Sequence, residues 1–127
     1  MSDVPEVIQR FLSAWTERDP TLAAQSVTEG VLIRDPNQSV QGAGPLVEHL
    51  EVILRRFDFA ITYGPCLREG DLVAFTCSIS MVGRSSRLAG VKAGFDPAVF
   101  VELRDDKIAS WTEYWDPAPL ARALASP

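Results

Sequence analysis

Val31-Leu-Ile-Arg-Asp-Pro-Asn-Gln-Ser-Val-Gln-Gly-Ala-Gly-Pro-Leu-Val-Glu-His-Leu50 is the stretch from which the plan of the chain is read. Val31, Ile33 and Asp35 alternate onto one side of a short strand, so an apolar row ends in a carboxylate. Pro36 ends that strand, residues 37–44 supply turn chemistry, and Pro45 suits the first turn of a following helix. A carboxylate at the end of an apolar row is costly to desolvate, and such a placement is a common way to make a general base. The competing reading is an Asp-Pro turn in which Asp35 caps the backbone of Asn37 or Gln38.

Upstream, Val4, Val7, Ile8, Phe11, Leu12 and Trp15 recur at helical spacing between Pro5 and Arg18-Asp19-Pro20, which predicts a first helix. Asp19-Pro20-Thr21 opens a short second helix over Leu22 to Val27, closed by Gly30. A third helix is expected from about Gly44 to Arg56, with Leu46, Leu50, Ile53 and Phe57 on one face. Glu48, Glu51, Arg55 and Arg56 lie mostly on the other.

Downstream, the period becomes two. Phe57, Phe59, Ile61 and Tyr63 alternate with Asp58, Ala60 and Thr62, and Gly64-Pro65 breaks the strand. After a turn at Glu69-Gly70-Asp71, Val73, Phe75, Cys77, Ile79 and Met81 share one face, against Ala74, Thr76, Ser78 and Ser80. Gly83 to Ser86 is a turn, Leu88 to Gly94 a weak strand, and Asp96-Pro97 a bulge or break. Val99, Val101 and Leu103 resume the alternation, Arg104-Asp105-Asp106-Lys107 makes a hairpin turn, and Ile108 to Asp116 is the last strand. A short helix, Pro119 to Leu124, follows. Three N-terminal helices before a meander of strands make an α+β layout, with the helices buried on one face of a curved, mainly antiparallel sheet. Such a layout leaves a cleft between helices and sheet, where a ligand is expected.

A chain of 127 residues is one domain, 1–127, with enough core to need no staples. The net charge is −5 and the basic residues are scattered, which argues against nucleic acid as a partner. The N-terminal stretch from Met1 to Glu6 has no basic region followed by an apolar run, and no apolar stretch reaches the ~18 residues of a membrane span. A soluble, cytoplasmic protein is the expectation. Cys66 and Cys77 lack metal spacing, and Cys77 reads as a small core residue. A single histidine and no close acidic cluster leave too few ligands for a metal. No nucleophile elbow is present, and Gly42-Ala43-Gly44 is too short for a phosphate loop.

Two carboxylates stand out. Asp35 is the first; Glu113 is the second, placed by alternation on the face that carries Trp111 and Trp115. A carboxyl between indoles is expected to hold its proton more tightly and to serve as an acid. A reversed register would instead put Tyr114 inside and Glu113 in solvent or at a dimer interface. His49, one turn from both Leu46 and Ile53, lies near the apolar face of the third helix, where it either reaches the cleft beside Asp35 or is a half-buried, satisfied histidine. Tyr63 and Asp96 are further candidates, the bland readings being strand packing and a turn.

The order of elements, with Val7-Ile-Gln-Arg-Phe-Leu-Ser-Ala-Trp15, Ile33-Arg-Asp-Pro36 and Lys107-Ile-Ala-Ser-Trp-Thr-Glu-Tyr-Trp-Asp116, resembles the nuclear transport factor 2-like superfamily. That group includes ketosteroid isomerase, limonene epoxide hydrolase and SnoaL-like polyketide cyclases. The resemblance covers nearly the whole chain and implies a cone-shaped, cystatin-like α+β barrel and a homodimer formed through the outer sheet face. It puts Asp35 where ketosteroid isomerases hold their proton-shuttling carboxylate, but Phe11 and Val99 replace the two oxyanion donors of those enzymes. It matches Glu113 to an acid of the epoxide hydrolases and cyclases. The Arg-x-Asp of the hydrolases has no counterpart in the uncharged Cys77-Ser78-Ile79.

The expected function is therefore acid–base chemistry of the SnoaL-like class on a hydrophobic polyketide- or terpenoid-like molecule: isomerisation, cyclisation or epoxide opening, without an organic cofactor. Asp35 is the expected base and Glu113 the acid. Phe11, Trp15, His49, Leu50, Ile53, Phe59, Tyr63, Phe75, Val99, Val101, Trp111 and Trp115 are the expected substrate-binding residues. The rival expectation is a non-catalytic ligand-binding or assembly domain of the same fold.

Overall fold

Seven strands form one curled mixed sheet in the order β2-β1-β7-β6-β4-β3, with β5 also paired to β4. The computed structural model describes residues 3–125. Met1 and Ser2, part of the N-terminal stretch read above, lie outside that range. In chain order the elements are α1 (Glu6–Thr16), α2 (Pro20–Ser26), β1 (Val27–Asp35), β2 (Gln38–Gln41), α3 (Ala43–Arg56), β3 (Phe57–Glu69), β4 (Leu72–Gly83), a 3-10 turn (Ser86–Leu88), β5 (Lys92–Phe95), β6 (Ala98–Arg104), β7 (Lys107–Tyr114) and α4 (Ala118–Ala125). The α+β layout read from the sequence holds. The pairing of β1 with β7 is parallel and every other pairing is antiparallel.

The helices pack on the concave face. Val7, Ile8, Phe11, Leu12 and Ala14 form the buried stripe of α1, and the Phe11 ring meets Trp111 of β7 at 4.7 Å. Leu46, Leu50 and Leu54 do the same for α3. Arg18 follows α1 in a left-handed conformation, φ 60, which costs a non-glycine residue about 1 kcal/mol. That geometry sends its guanidinium to the end of α3, where it donates to the carbonyls of Leu54 and Phe57 and to Asp58. Arg84 donates to the same Leu54 carbonyl, so two cations sit at the negative end of the helix dipole.

Four local expectations are corrected. Residues 38–41 form a four-residue hairpin strand, β2, where only a turn was expected; Val40 pairs with Ile33 and gains the apolar cover that a turn would forgo. Gly30 does not close α2, which runs straight into β1 at Val27; the glycine lies at a shift of register between Val27 and Leu32. Gly64-Pro65 does not break β3. It forms a bulge between Tyr63 and Cys66, and a Cβ on Gly64 would stand 2.3 Å from the Thr76 hydroxyl. The weak strand expected over Leu88 to Gly94 is a 3-10 turn and then β5, because Gly90 at φ 79 turns the chain before Lys92. Asp96-Pro97 interrupts β5 and β6, which lie end to end along β4. Asp105 and Asp106, both at positive φ, make the β6–β7 hairpin turn.

Candidate functional site

A cavity of about 170 Å³ lies between the helices and the inner face of the sheet. Its deeper wall is apolar: Phe11, Leu46 and Trp111 are buried there, with Phe57, Ile79 and Met81 facing them. At the open side stand Asp35, Asn37, Gln38 and His49. Among the described residues, no helix is long and apolar enough to cross a membrane, and no group of three or more His, Cys, Asp and Glu side chains clusters as a metal site requires.

Glu113 enters from the sheet. Alternation along β7 turns Trp111 and Glu113 inward and leaves Tyr114 60% exposed, so the reversed register is excluded. The indole of Trp111 donates to Oε2 at 2.8 Å, and the indole of Trp115 donates to Oε1 at 3.0 Å. Trp115 is itself held by Phe95, ring centroids 4.3 Å apart. Burial pushes the Glu113 carboxyl above its ordinary value of 4.5; the two indole donors oppose the rise, and the charge of Asp35 adds to it. The carboxyl therefore holds its proton more tightly than a surface glutamate does.

Asp35 enters from the end of β1, and its surroundings differ. Its Oδ1 accepts the backbone N–H groups of Asn37, at 2.8 Å, and Gln38, at 3.1 Å. Its Oδ2 accepts the Gln38 side-chain amide at 3.2 Å. The turn-capping reading of Asp35 and the cavity-lining reading are both true of the same side chain. Gln38 Nε2 also meets His49 Nε2 at 2.9 Å. With the Gln38 amide nitrogen donating, the ring nitrogen of His49 that faces it is the acceptor of this contact. His49 is thus half-buried and hydrogen-bonded, and it also lines the cavity.

Of the residues expected to bind substrate, Phe11, Trp15, His49, Ile53, Phe59, Trp111 and Trp115 line the cavity. Leu50, Phe75, Val99 and Val101 do not: they are closed into the packed core, where Val99 pairs with Phe75 and Val101 with Trp111. Tyr63 is also outside the cavity, 42% exposed beside Phe75. Asp96 is exposed at the β5–β6 interruption and is not part of the wall. Unforeseen wall residues include Val40, Phe95 and Leu120. Val40 lies on the missed strand, and Phe95 and Leu120 come from elements whose packing partners only the fold reveals. Cys77, pushed up to about 12 chiefly by burial with Glu113 and Asp96 adding, is no nucleophile.

The SnoaL-like polyketide cyclase family model matches residues 6–124. Three solved structures illustrate the likeness in fold. A hypothetical protein with a ketosteroid isomerase-like fold from Catenulispora acidiphila, in complex with trimethylamine, is 15% identical with a TM-score of 0.84, covering 98% of this chain and 96% of the other. A limonene epoxide hydrolase-like epoxide hydrolase from M. tuberculosis is 15% identical with a TM-score of 0.79, covering 94% and 86%. A SnoaL-like polyketide cyclase, so described, from Jannaschia is 15% identical with a TM-score of 0.76, covering 100% and 99%. No curated protein matches the sequence.

Proposed function

The chain belongs to the SnoaL-like polyketide cyclase family, and we propose that it is a cofactor-independent acid–base enzyme acting on a hydrophobic small molecule. One observation carries this reading: a carboxyl buried between two indoles, which raises its hold on a proton, shares an apolar cavity with a second carboxyl group at the open side. Pairs of titratable groups whose environments push them apart make acid and base assignments. Glu113 is the acid. Protonated, it retains lone pairs for both indole N–H groups while its O–H points a proton at an epoxide or carbonyl oxygen. Asp35 is the base. Its Oδ1 is spent on two backbone donors, whereas Oδ2, with one acceptor direction left beside Gln38, takes a proton from carbon or from a hydroxyl.

Isomerisation, aldol-type cyclisation and epoxide opening all fit this pair. Phe11 and Val99, at the positions of the isomerase donors, offer no hydrogen bond to an enolate, which weighs against steroid isomerisation. Asp35→Asn and Glu113→Gln are each expected to lower turnover of a true substrate by about 100- to 10,000-fold. Unchanged turnover in both variants would leave the binding or assembly reading, which the engagement of Asp35 in its own turn favours.

The proposed assembly is a homodimer through the outer sheet face. Leu67, Leu72 and Phe100 stand exposed there between Arg34 and Arg68 and the acids Glu69 and Glu102, a mixture of signs that a two-fold axis can pair with itself. Sedimentation equilibrium of Phe100→Glu is expected to shift the mass toward the monomer; a monomeric parent protein would remove the proposal.

A further inference from the structure

The shape and charge of the cavity restrict what it takes. Its volume is about 170 Å³, close to the ~150 Å³ of an engineered apolar cavity that holds one benzene. The walls that close it, Phe11, Trp111, Leu46 and Met81, are buried members of the core, and enlarging the space means displacing close-packed side chains. The wall contains Asp35 and Glu113 and neither lysine nor arginine. An anionic group brought inside would be desolvated, face two carboxyl groups and find no cation.

From this geometry we infer that the ligand is an uncharged molecule of about one ring with short substituents, its acceptor oxygen turned toward Glu113 and any polar remainder at the Asn37–Gln38 side. The orientation rests on the acid reading of Glu113 given above; the size and the charge do not. Glu113 is the donor of the apolar wall, since Asn37, Gln38 and His49 stand at the open side and the Trp15 indole N–H is buried, with no hydrogen-bond partner among the described residues. Trp15 packs edge-on against Phe59 at 5.3 Å. A small ammonium ion is the chief competitor, since the aromatic side chains of Trp15, Phe59, Phe95, Trp111 and Trp115 line the cavity. Inside the apolar wall it would stand beside a Glu113 carboxyl whose ionisation burial and the charge of Asp35 both oppose.

All three tryptophans of the chain line the cavity, so intrinsic fluorescence reads occupancy without a label. Titrations of the full chain at pH 6 would use four probes: 3-methylcyclohex-2-enone, cyclohexanecarboxylate, 1,1-dimethylpiperidinium, and the four-ring ketone androst-4-ene-3,17-dione. The one-ring enone is expected to bind at least tenfold more tightly than each of the others. Equal or tighter binding of the ammonium or the carboxylate overturns the charge restriction. Equal or tighter binding of the steroid overturns the size restriction, and failure of the enone to bind overturns both. Glu113→Leu, with Glu113→Gln as a second variant should the first not fold, separates this proposal from the acid reading. A tenfold or greater loss of enone affinity in Glu113→Leu, or a measurable loss in Glu113→Gln, supports the orientation. Unchanged affinity with the probe order preserved overturns the acid reading and leaves the ligand class standing.

Discussion

Asp35 and Glu113 carry the same functional group into one cavity and meet opposite surroundings. Asp35 sits at the end of β1 in a turn whose backbone and side-chain amides supply three hydrogen bonds. Glu113 sits inside β7 and receives two, both from indoles whose bulk also removes water. At Glu113 the two indole hydrogen bonds favour the ionised carboxylate, but burial prevails and raises the carboxyl. The proposed division into acid and base rests on which element delivers the side chain: a strand end that opens to a turn, or a strand interior lined with tryptophan.

The contrast can be broken most severely by removing the wall that makes it. Trp111 is 1% exposed, packs against Phe11 and Phe75, and supplies one of the two indole donors. Trp111→Ala is expected to cost about 3–5 kcal/mol in urea unfolding. A loss below 1 kcal/mol would mean that the inner face of β7 is not packed as described.

Glu113→Gln tests the donors themselves. A carboxyl accepts an indole N–H on each oxygen, whereas an amide accepts on one and opposes the other with its own N–H groups. One indole donor is left unpaired, at a cost of about 1–3 kcal/mol measured at pH 4. This advantage of the native protein shrinks with pH. The folded carboxyl lies above its unfolded value, so the native state binds more protons between the two, and stability falls as pH rises from about 4.5 through the folded value. Urea midpoints of both proteins between pH 4 and pH 8 should converge; a gap that widens with pH contradicts the direction of the shift.

The smallest expected effect is the influence of one carboxylate on the other. Because the charge of Asp35 contributes to the rise at Glu113, Asp35→Asn should move the Glu113 titration downward. The same substitution should change stability by less than 1 kcal/mol, since an asparagine oxygen can accept the same two backbone N–H groups. An unmoved titration would place the two groups in separate environments.

How much of this was legible in the sequence depended on what periodicity encodes. Alternation reports which side of a strand faces inward, so the face shared by Trp111, Glu113 and Trp115 was readable, as was the face from Val73 to Met81. It does not report depth. Leu50, Phe75, Val99 and Val101 are inward like Phe59 and Met81, yet they fill the closed part of the sheet's concavity, and only the curl of β4 against β6 and β7 tells the two sets apart. Pro and Gly were over-read as breaks. At Gly64-Pro65 the pairing with β4 on both sides outlasts one missing N–H, and the chain bulges instead of stopping. The four residues of β2 were too few to show a period, and what makes them a strand is their pairing with β1. Asp35 illustrates a further limit: its two readings, turn cap and cavity carboxylate, were set against each other, although two oxygens let one side chain do both.

The most direct test is a carbon-13 NMR titration of the Glu113 carboxyl, with labelled glutamate and Glu113→Gln to identify the signal. The expected result is a midpoint clearly above 4.5. A midpoint at or below 4.5 would show a carboxylate stabilised by its two indole donors, and the assignment of Glu113 as the acid would be wrong.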